Sequence, residues 1–125
     1  APIAAGPCAG QVSQLRGACN CGAVEYEVDM PVLLAANCWC RDCQEAHGSP
    51  VSSVFIQSED KVRITKGRES LGSFNRGTSS VGGGSTHNNR HFCKECGCPM
   101  FSHLYQAKLY GFWYTTLKSG ACPTP

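Results

Sequence analysis

Short stretches of alternating apolar and polar residues, separated by glycine-rich and polar turns, recur along the chain. The clearest is residues 23–29, where Val24, Tyr26 and Val28 point to one face and the intervening residues to the other. Five further segments are predicted strands: residues 51–57, 61–66, 71–75, 99–105 and 109–116. In the last of these, the aromatic run of Phe112, Trp113 and Tyr114 is typical of a core strand. We expect one mostly antiparallel β domain.

Three segments depart from this pattern. Residues 41–47 have some helical character, enough for a turn or two. Residues 77–89, GTSSVGGGSTHNN, read as a flexible loop, and residues 119–125 as a frayed terminus. A chain of 125 residues is long enough for a single domain with a modest core, so we take residues 1–125 as one unit.

Charge and hydropathy exclude some function classes. Eleven basic and nine acidic residues leave a formal charge of +2, with no run of like charges, so no nucleic acid partner is expected. No apolar stretch approaches the roughly 20 residues that span a bilayer, so no membrane is expected either. The first ten residues lack the charged start and apolar middle of a signal peptide, which favours the cytoplasm.

Ten cysteines in 125 residues indicate either a disulfide framework or metal sites. Seven fall into three close-spaced groups, and Cys8, Cys98 and Cys122 lie outside them. The groups are Cys19 with Cys21; Cys38, Cys40 and Cys43; and Cys93 with Cys96.

These spacings favour a metal. Thiolates two or three residues apart around a tight turn can point at one centre about 2.3 Å from each sulfur, and glycine follows two of the groups. Cysteines separated by one residue pair poorly in a disulfide, and soft sulfur ligands favour zinc, with an iron–sulfur centre as the alternative. Four ligands close a structural zinc site, whereas three leave a position open for chemistry. Cys19 and Cys21, together with the distant pair Cys93 and Cys96, would supply four ligands. Cys38, Cys40 and Cys43, which are close in sequence, would supply three.

Three ordered motifs resemble the glutathione-dependent formaldehyde-activating enzyme family, which also includes centromere protein V. They are G-x-C-x-C-G-x-V-x-Y-E-V from Gly17, C-x-C-x-D-C-Q from Cys38 and F-C-x-x-C-G-x-P-M from Phe92, and the matching region covers roughly residues 15–114. The resemblance implies a β-tent of small antiparallel sheets with zinc knuckles. It also implies two zinc ions, a structural one on Cys19, Cys21, Cys93 and Cys96 and a catalytic one on Cys38, Cys40 and Cys43.

The activity implied by the resemblance is that of a carbon–sulfur lyase. The family's founding reaction joins glutathione to formaldehyde as S-hydroxymethylglutathione. A thiol at the open zinc position would lose its proton and add to an aldehyde, or be expelled from an adduct in reverse. The substrates would be glutathione or another thiol together with an aldehyde or a thiol conjugate.

Three departures from the family pattern stand out: Trp39 replaces histidine, Cys98 replaces serine or threonine, and the segment after Tyr114 is short. Trp39 either packs over the second site or belongs to the core. Residues 82–84 are a candidate lid. Candidate proton donors are Asp42, Glu45, His47 and His91. Candidate basic groups for glutathione's carboxylates are Arg41, Arg90 and Lys94. For each of these residues an ordinary surface role is the alternative.

Two other functions stay open. In a non-catalytic zinc module that binds a protein or chromatin, Cys98 would close the second site as a fourth ligand. In a secreted disulfide scaffold, the cysteines would be paired with one another. The oligomeric state cannot be read from these patterns.

Overall fold

The computed structural model describes residues 14–79 and 81–118. Within them lie nine β-strands, one α-helix and three 3-10 turns. The strands are β1 Gln14–Ala18, β2 Glu25–Asp29, β3 Leu34–Cys38, β4 Ser52–Ser58, β5 Val62–Lys66, β6 Leu71–Phe74, β7 Asn88–Cys93, β8 Pro99–Leu104 and β9 Leu109–Trp113. The helix α1 is Arg41–His47, and the 3-10 turns are Glu59–Lys61, Arg68–Ser70 and Tyr114–Thr116.

The strands form two antiparallel sheets. The smaller has the order β1-β2-β5 and the larger the order β3-β4-β9-β8-β7-β6. The pairs β7–β8 and β8–β9 are joined by short turns, whereas β4 and β9 pair across nearly half the chain. The predicted fold class, a mainly β chain built from antiparallel sheets, is confirmed.

The core lies between the inner faces of the two sheets. Val24, just before β2, and Tyr26 and Val28 of β2 share one face, as the alternation predicted, and all three are buried. The Tyr26 ring lies 4.2 Å from that of Phe112 on β9, which in turn stacks on Phe55 of β4 with 5.4 Å between centroids. Each fully buried side chain of this size contributes roughly 1.5–3 kcal/mol to folding, so these aromatic residues are the main apolar link between the sheets.

Two polar side chains among the described residues are fully buried, those of Gln57 and Thr116. The Gln57 amide nitrogen donates to the carbonyl oxygens of Asp29 at 2.7 Å and Pro31 at 2.8 Å, and its oxygen accepts from the Ser58 amide at 2.9 Å. A buried amide is tolerated when its hydrogen bonds are made, as they are here. Gln57 therefore fixes the turn after β2 to strand β4.

Three strands were not predicted: β1, β3 and β7. The expected loop over residues 77–89 is shorter, because Asn88 and Asn89 already pair with β8. The expected strand over residues 109–116 ends at Trp113, because Tyr114–Thr116 form a 3-10 turn in which the Thr116 hydroxyl donates to the Trp113 carbonyl. The helical prediction for residues 41–47 is confirmed at both ends.

No helix among the described residues combines the length and the hydropathy needed to cross a bilayer.

Candidate metal centres and the cavity

Two turns of similar geometry carry the remote cysteine pairs. In the first, which follows β1, the Gly22 amide donates to the Cys19 carbonyl and Gly22 has φ of 77°. In the second, which follows β7, the Gly97 amide donates to the Cys93 carbonyl and Gly97 has φ of 76°. A side chain at either glycine would be strained at this φ, so both glycines serve the turns that aim the thiols.

These turns bring four thiols together in what we call the four-cysteine cluster: Cys19, Cys21, Cys93 and Cys96. All four sulfurs lie within 4.8 Å of one another. The Sγ atoms of Cys19 and Cys21 are 3.6 Å apart, and those of Cys21 and Cys93 are 3.8 Å apart. Sulfurs placed 2.3 Å from a tetrahedral zinc are separated by about 3.8 Å, so this donor set fits zinc.

The acid–base properties of the cluster also favour a cation. Burial opposes ionisation of Cys19, but hydrogen bonds from the Val24 amide and from neighbouring thiols lower its pKa to about 6. The Ala23 amide favours the Cys21 thiolate, yet burial and the three other thiols raise the pKa of Cys21 to about 12. Several thiolates can exist here together only if a positive ion lies among them.

The remaining trio, Cys38, Cys40 and Cys43, forms the three-cysteine cluster where β3 meets α1. Its sulfurs also lie within 4.8 Å of one another, and those of Cys38 and Cys43 are 3.5 Å apart. Cys40 caps the helix, since its sulfur accepts from the Cys43 amide at 3.3 Å. The end of β3 and the first turn of α1 thus place the three sulfurs close together.

Disulfides are absent among the described cysteines, all eight of which are free thiols. Sulfurs in a disulfide are separated by about 2.05 Å, far less than the distances in either cluster. The disulfide alternative therefore fails for this part of the chain. Cys8 and Cys122 lie outside the described residues.

The three-cysteine cluster opens onto a cavity of about 380 Å³, which we call the main cavity. Its floor is the outer face of the larger sheet, and its walls are α1 and the loop before β7. Besides the cluster, it is lined by Asp42, Val54, Ile56, Ser79, Ser85, Thr86, Asn88, Arg90, Ser102, Leu104, Gly111 and Trp113.

A second cavity of about 320 Å³, the outer cavity, shares four lining residues with the main cavity: Asp42, Thr86, Asn88 and Arg90. It adds Phe74 of β6, which is 62% exposed, and Arg76, whose guanidinium pairs with Glu45 of α1 at 2.5 Å. The two cavities together form a groove that leads from the sulfurs to the edge of the larger sheet.

The four proton-donor candidates lie in different places. Only Asp42 among them lines the main cavity. The Ser79 hydroxyl donates a hydrogen bond to Oδ2 of Asp42 at 2.7 Å. Glu45 lines the outer cavity and pairs with Arg41 and Arg76. His47 packs edge-on against Trp113, and its ring faces a different cavity, next to Cys98.

His91, the fourth candidate, stacks on Phe101 with 4.7 Å between centroids, so it lies on the core side of the sheet. Burial lowers its pKa, with the nearby His103 as the second cause.

Two possibilities that the sequence left open for the second cluster find no support in the structure. Trp39 is 62% exposed, so it is not a core residue, and it does not line the main cavity. Cys98 is not a fourth ligand of the three-cysteine cluster. Its sulfur is directed at the Pro99 carbonyl oxygen at 3.5 Å, and burial raises its pKa, with the charges of Cys96 and Cys19 adding to the effect. Among the described residues, no fourth Cys, His, Asp or Glu side chain joins the trio, which lines the main cavity.

Of the three basic groups proposed for substrate carboxylates, only Arg90 lines the cavity. Arg41 is paired with Glu45 on the surface, and the Lys94 stem packs near Gly72 of β6. The polar residues Ser79, Thr86, Asn88 and Ser102 were not identified from the sequence. Because they come from a loop and from two strands that meet only through pairing, no local signal marks them.

Comparison with known proteins finds a family, a relative and a related structure that this chain resembles. The family model described as "Glutathione-dependent formaldehyde-activating enzyme" matches residues 14–122. A Halomonas elongata protein, provisionally named as such an enzyme, is 25% identical over 88 residues, 70% of this chain and 54% of that protein. The chain thus spans about half the length of this relative. A crystal structure of a Rhodobacter sphaeroides protein aligns with a TM-score of 0.65 at 24% identity, covering 86% of this chain and 91% of that one, which shows a shared fold.

Proposed function

Because the chain belongs to the glutathione-dependent formaldehyde-activating enzyme family, we propose that it is a zinc-dependent carbon–sulfur lyase. It would form or cleave the adduct between a thiol such as glutathione and an aldehyde or larger metabolite. The observation that carries this proposal is the contrast between the two clusters. Four thiols close on themselves, whereas three open onto a cavity large enough for a small-molecule substrate.

The residues divide between structure and chemistry. Cys19, Cys21, Cys93 and Cys96 would hold a structural zinc, and Cys38, Cys40 and Cys43 a second zinc with one open position. A zinc ion there supplies Lewis acidity, which lowers the pKa of an incoming thiol. The groove offers space for the rest of that thiol, since the outer cavity continues from the main one.

Within the cavity, the chain's own side chains would orient the reactants. Asp42 is placed to take the proton that the thiol loses, because it lines the main cavity and Ser79 holds its carboxylate in position. Val54, Ile56 and Trp113 form an apolar floor, which would limit the access of water to a bound substrate. This limit would slow hydrolysis and strengthen the polar contacts.

The alternative, a non-catalytic zinc module with a closed second site, has less support. It requires a fourth ligand, and Cys98 is not part of the three-cysteine cluster. We therefore expect a small-molecule thiol and an aldehyde or thiol conjugate as the partners, rather than a protein or chromatin.

The test combines metal analysis with an exchange assay. The protein should contain two zinc ions per chain and accelerate the exchange of glutathione with formaldehyde, followed by NMR. Cys40→Ser should abolish the acceleration and lower the zinc content to one. Cys98→Ser, the matched control, should keep both zinc ions and the activity. An exchange rate equal to that of the protein-free solution would refute the founding activity for this chain.

A further inference from the structure

Arg90 occupies the centre of the groove. It lies on β7, it is half-buried, and its side chain lines both the main and the outer cavity. Its Nη1 donates to the Ser102 hydroxyl at 3.5 Å and its Nη2 to the Cys43 sulfur at 3.8 Å. A guanidinium group therefore sits directly beside the three-cysteine cluster.

This guanidinium has no carboxylate partner among the described residues. The other arginines with ion pairs are bound to Glu27, Asp29 or Glu45, all on the surface or at the rim. A half-buried charge without a counter-charge is costly unless a ligand or a neighbouring anion compensates it. Two of the five N–H groups of Arg90 are used, and both of these contacts are long, so donors remain for a group in the cavity.

We propose that Arg90 binds the substrate oxygen on which negative charge develops as the carbon–sulfur bond forms or breaks. This inference rests on the function proposed above. In the forward direction, a sulfur electron pair forms the C–S bond, the carbonyl π electrons move to oxygen, and that oxygen takes up the proton that the thiol lost. Arg90 donates hydrogen bonds to the oxygen throughout and gives up no proton, since a guanidinium stays charged in proteins.

The position of Arg90 favours this role over the binding of a substrate carboxylate far from the reacting atoms. A thiol that binds at the three-cysteine cluster would react at its sulfur, so the aldehyde carbon would have to lie within bonding reach of the cluster. The guanidinium that touches Cys43 is therefore close to the carbonyl oxygen as well. Donors fixed in place before the reaction stabilise a developing oxyanion more than water does, because they need no reorganisation.

The experiment measures steady-state exchange of glutathione with formaldehyde by the zinc-loaded Arg90→Gln variant. We expect kcat to fall about 10²- to 10³-fold, the usual loss for one oxyanion donor. The KM for glutathione should change much less, because Arg90 contacts the aldehyde oxygen and its hydrogen bonds strengthen as negative charge develops there. Arg90→Lys, which keeps the charge without the planar fork, should lose less. Added guanidinium chloride at non-denaturing concentration should restore part of the rate of Arg90→Ala. Arg68→Gln, an exposed arginine away from the groove, is the control.

Zinc content and thermal unfolding distinguish this role from a structural one. Wild-type zinc content together with a kcat loss supports the proposal. An unchanged kcat in Arg90→Gln overturns it, as does a loss that tracks missing zinc and is reversed by added zinc. If the glutamine variant does not fold, Arg90→Lys decides, and an unchanged kcat overturns the proposal. A wild-type protein without exchange activity refutes the proposed function itself, whereas activity that survives the loss of Arg90 refutes only the residue's role.

Discussion

Gly17 on β1 is the position where one added methyl group should be most damaging. It lies opposite Tyr26 on β2, and a Cβ built at Gly17 would be 2.2 Å from the Tyr26 Cζ atom. The ring cannot easily retreat, because it packs on Phe112 and its hydroxyl makes a 2.6 Å hydrogen bond with Thr116. Gly17→Ala must therefore displace a buried ring or separate two strands.

The expected cost of Gly17→Ala follows from these contacts. Overpacking costs about 1–3 kcal/mol, and loss of the Tyr26 hydroxyl hydrogen bond adds about 0.5–1.5 kcal/mol. The reduced freedom of alanine in the unfolded chain returns about 0.5–1 kcal/mol. We expect a net destabilisation of about 2 kcal/mol, measured by urea unfolding at a fixed zinc concentration so that metal linkage is constant.

A matched glycine and a double-mutant cycle make this test specific. Gly111→Ala, in which the added Cβ meets Ile56 Cδ1 at an ordinary 3.8 Å, should change stability by no more than about 0.5 kcal/mol. In a Tyr26→Leu background, Gly17→Ala should also cost little, because the ring it strikes is gone. An equal cost of Gly17→Ala in both backgrounds would show that the Tyr26 contact is not the cause.

Three further predictions concern other parts of the molecule. Gln57→Leu should destabilise by about 2 kcal/mol in urea unfolding, since it removes the partner of three partly buried backbone groups, and a near-neutral result would contradict the account of this residue. Burial, aided by the charge of Arg90, lowers the pKa of His47 to about 4. Because the unfolded chain binds that proton near pH 6.5, the free energy of unfolding should fall as pH drops from 6.5 to 4. The fall should be smaller in His47→Gln, and an NMR titration midpoint near 6.5 would refute this. Finally, Cys93→Ser should lower the thermal stability far more than Cys40→Ser, because Cys93 is fully buried and Cys40 is exposed; equal melting temperatures would argue against separate roles for the clusters.

The parts of the molecule that were predictable from sequence are those set by local spacing. Cys38, Cys40 and Cys43 converge because six residues of chain form a strand end and one helical turn, and the alternation in β2 marks its buried face directly. The unpredicted strands lack such signals. In β3 the sequence LAANC shows no alternation. The sequence of β7, NNRHFC, is mostly polar, and its Asn88 and Arg90 line the cavity.

The cavity could not be predicted for a related reason. Arg90 and Ser102 are opposite each other in the β7–β8 register, and Gly111 is opposite Ser102 in the β8–β9 register. Each pairing is a contact between two strands, and the residue pattern of a single strand does not specify its partner. The sequence supplied the ligands of the clusters, while the pairing of strands supplied the surface around them.

The span between the two halves of the four-cysteine cluster has a consequence for how the protein assembles. Cys21 and Cys93 are 72 positions apart, and most of the residues that line the groove lie between them in the sequence. Closing a loop of this length removes chain entropy worth about 4 kcal/mol from the unfolded ensemble, by analogy with a cross-link. During synthesis the trio can capture a metal soon after residue 43 emerges, whereas the other cluster must wait for about 50 more residues. We expect loading in that order, with the late closure committing the chain to its final topology.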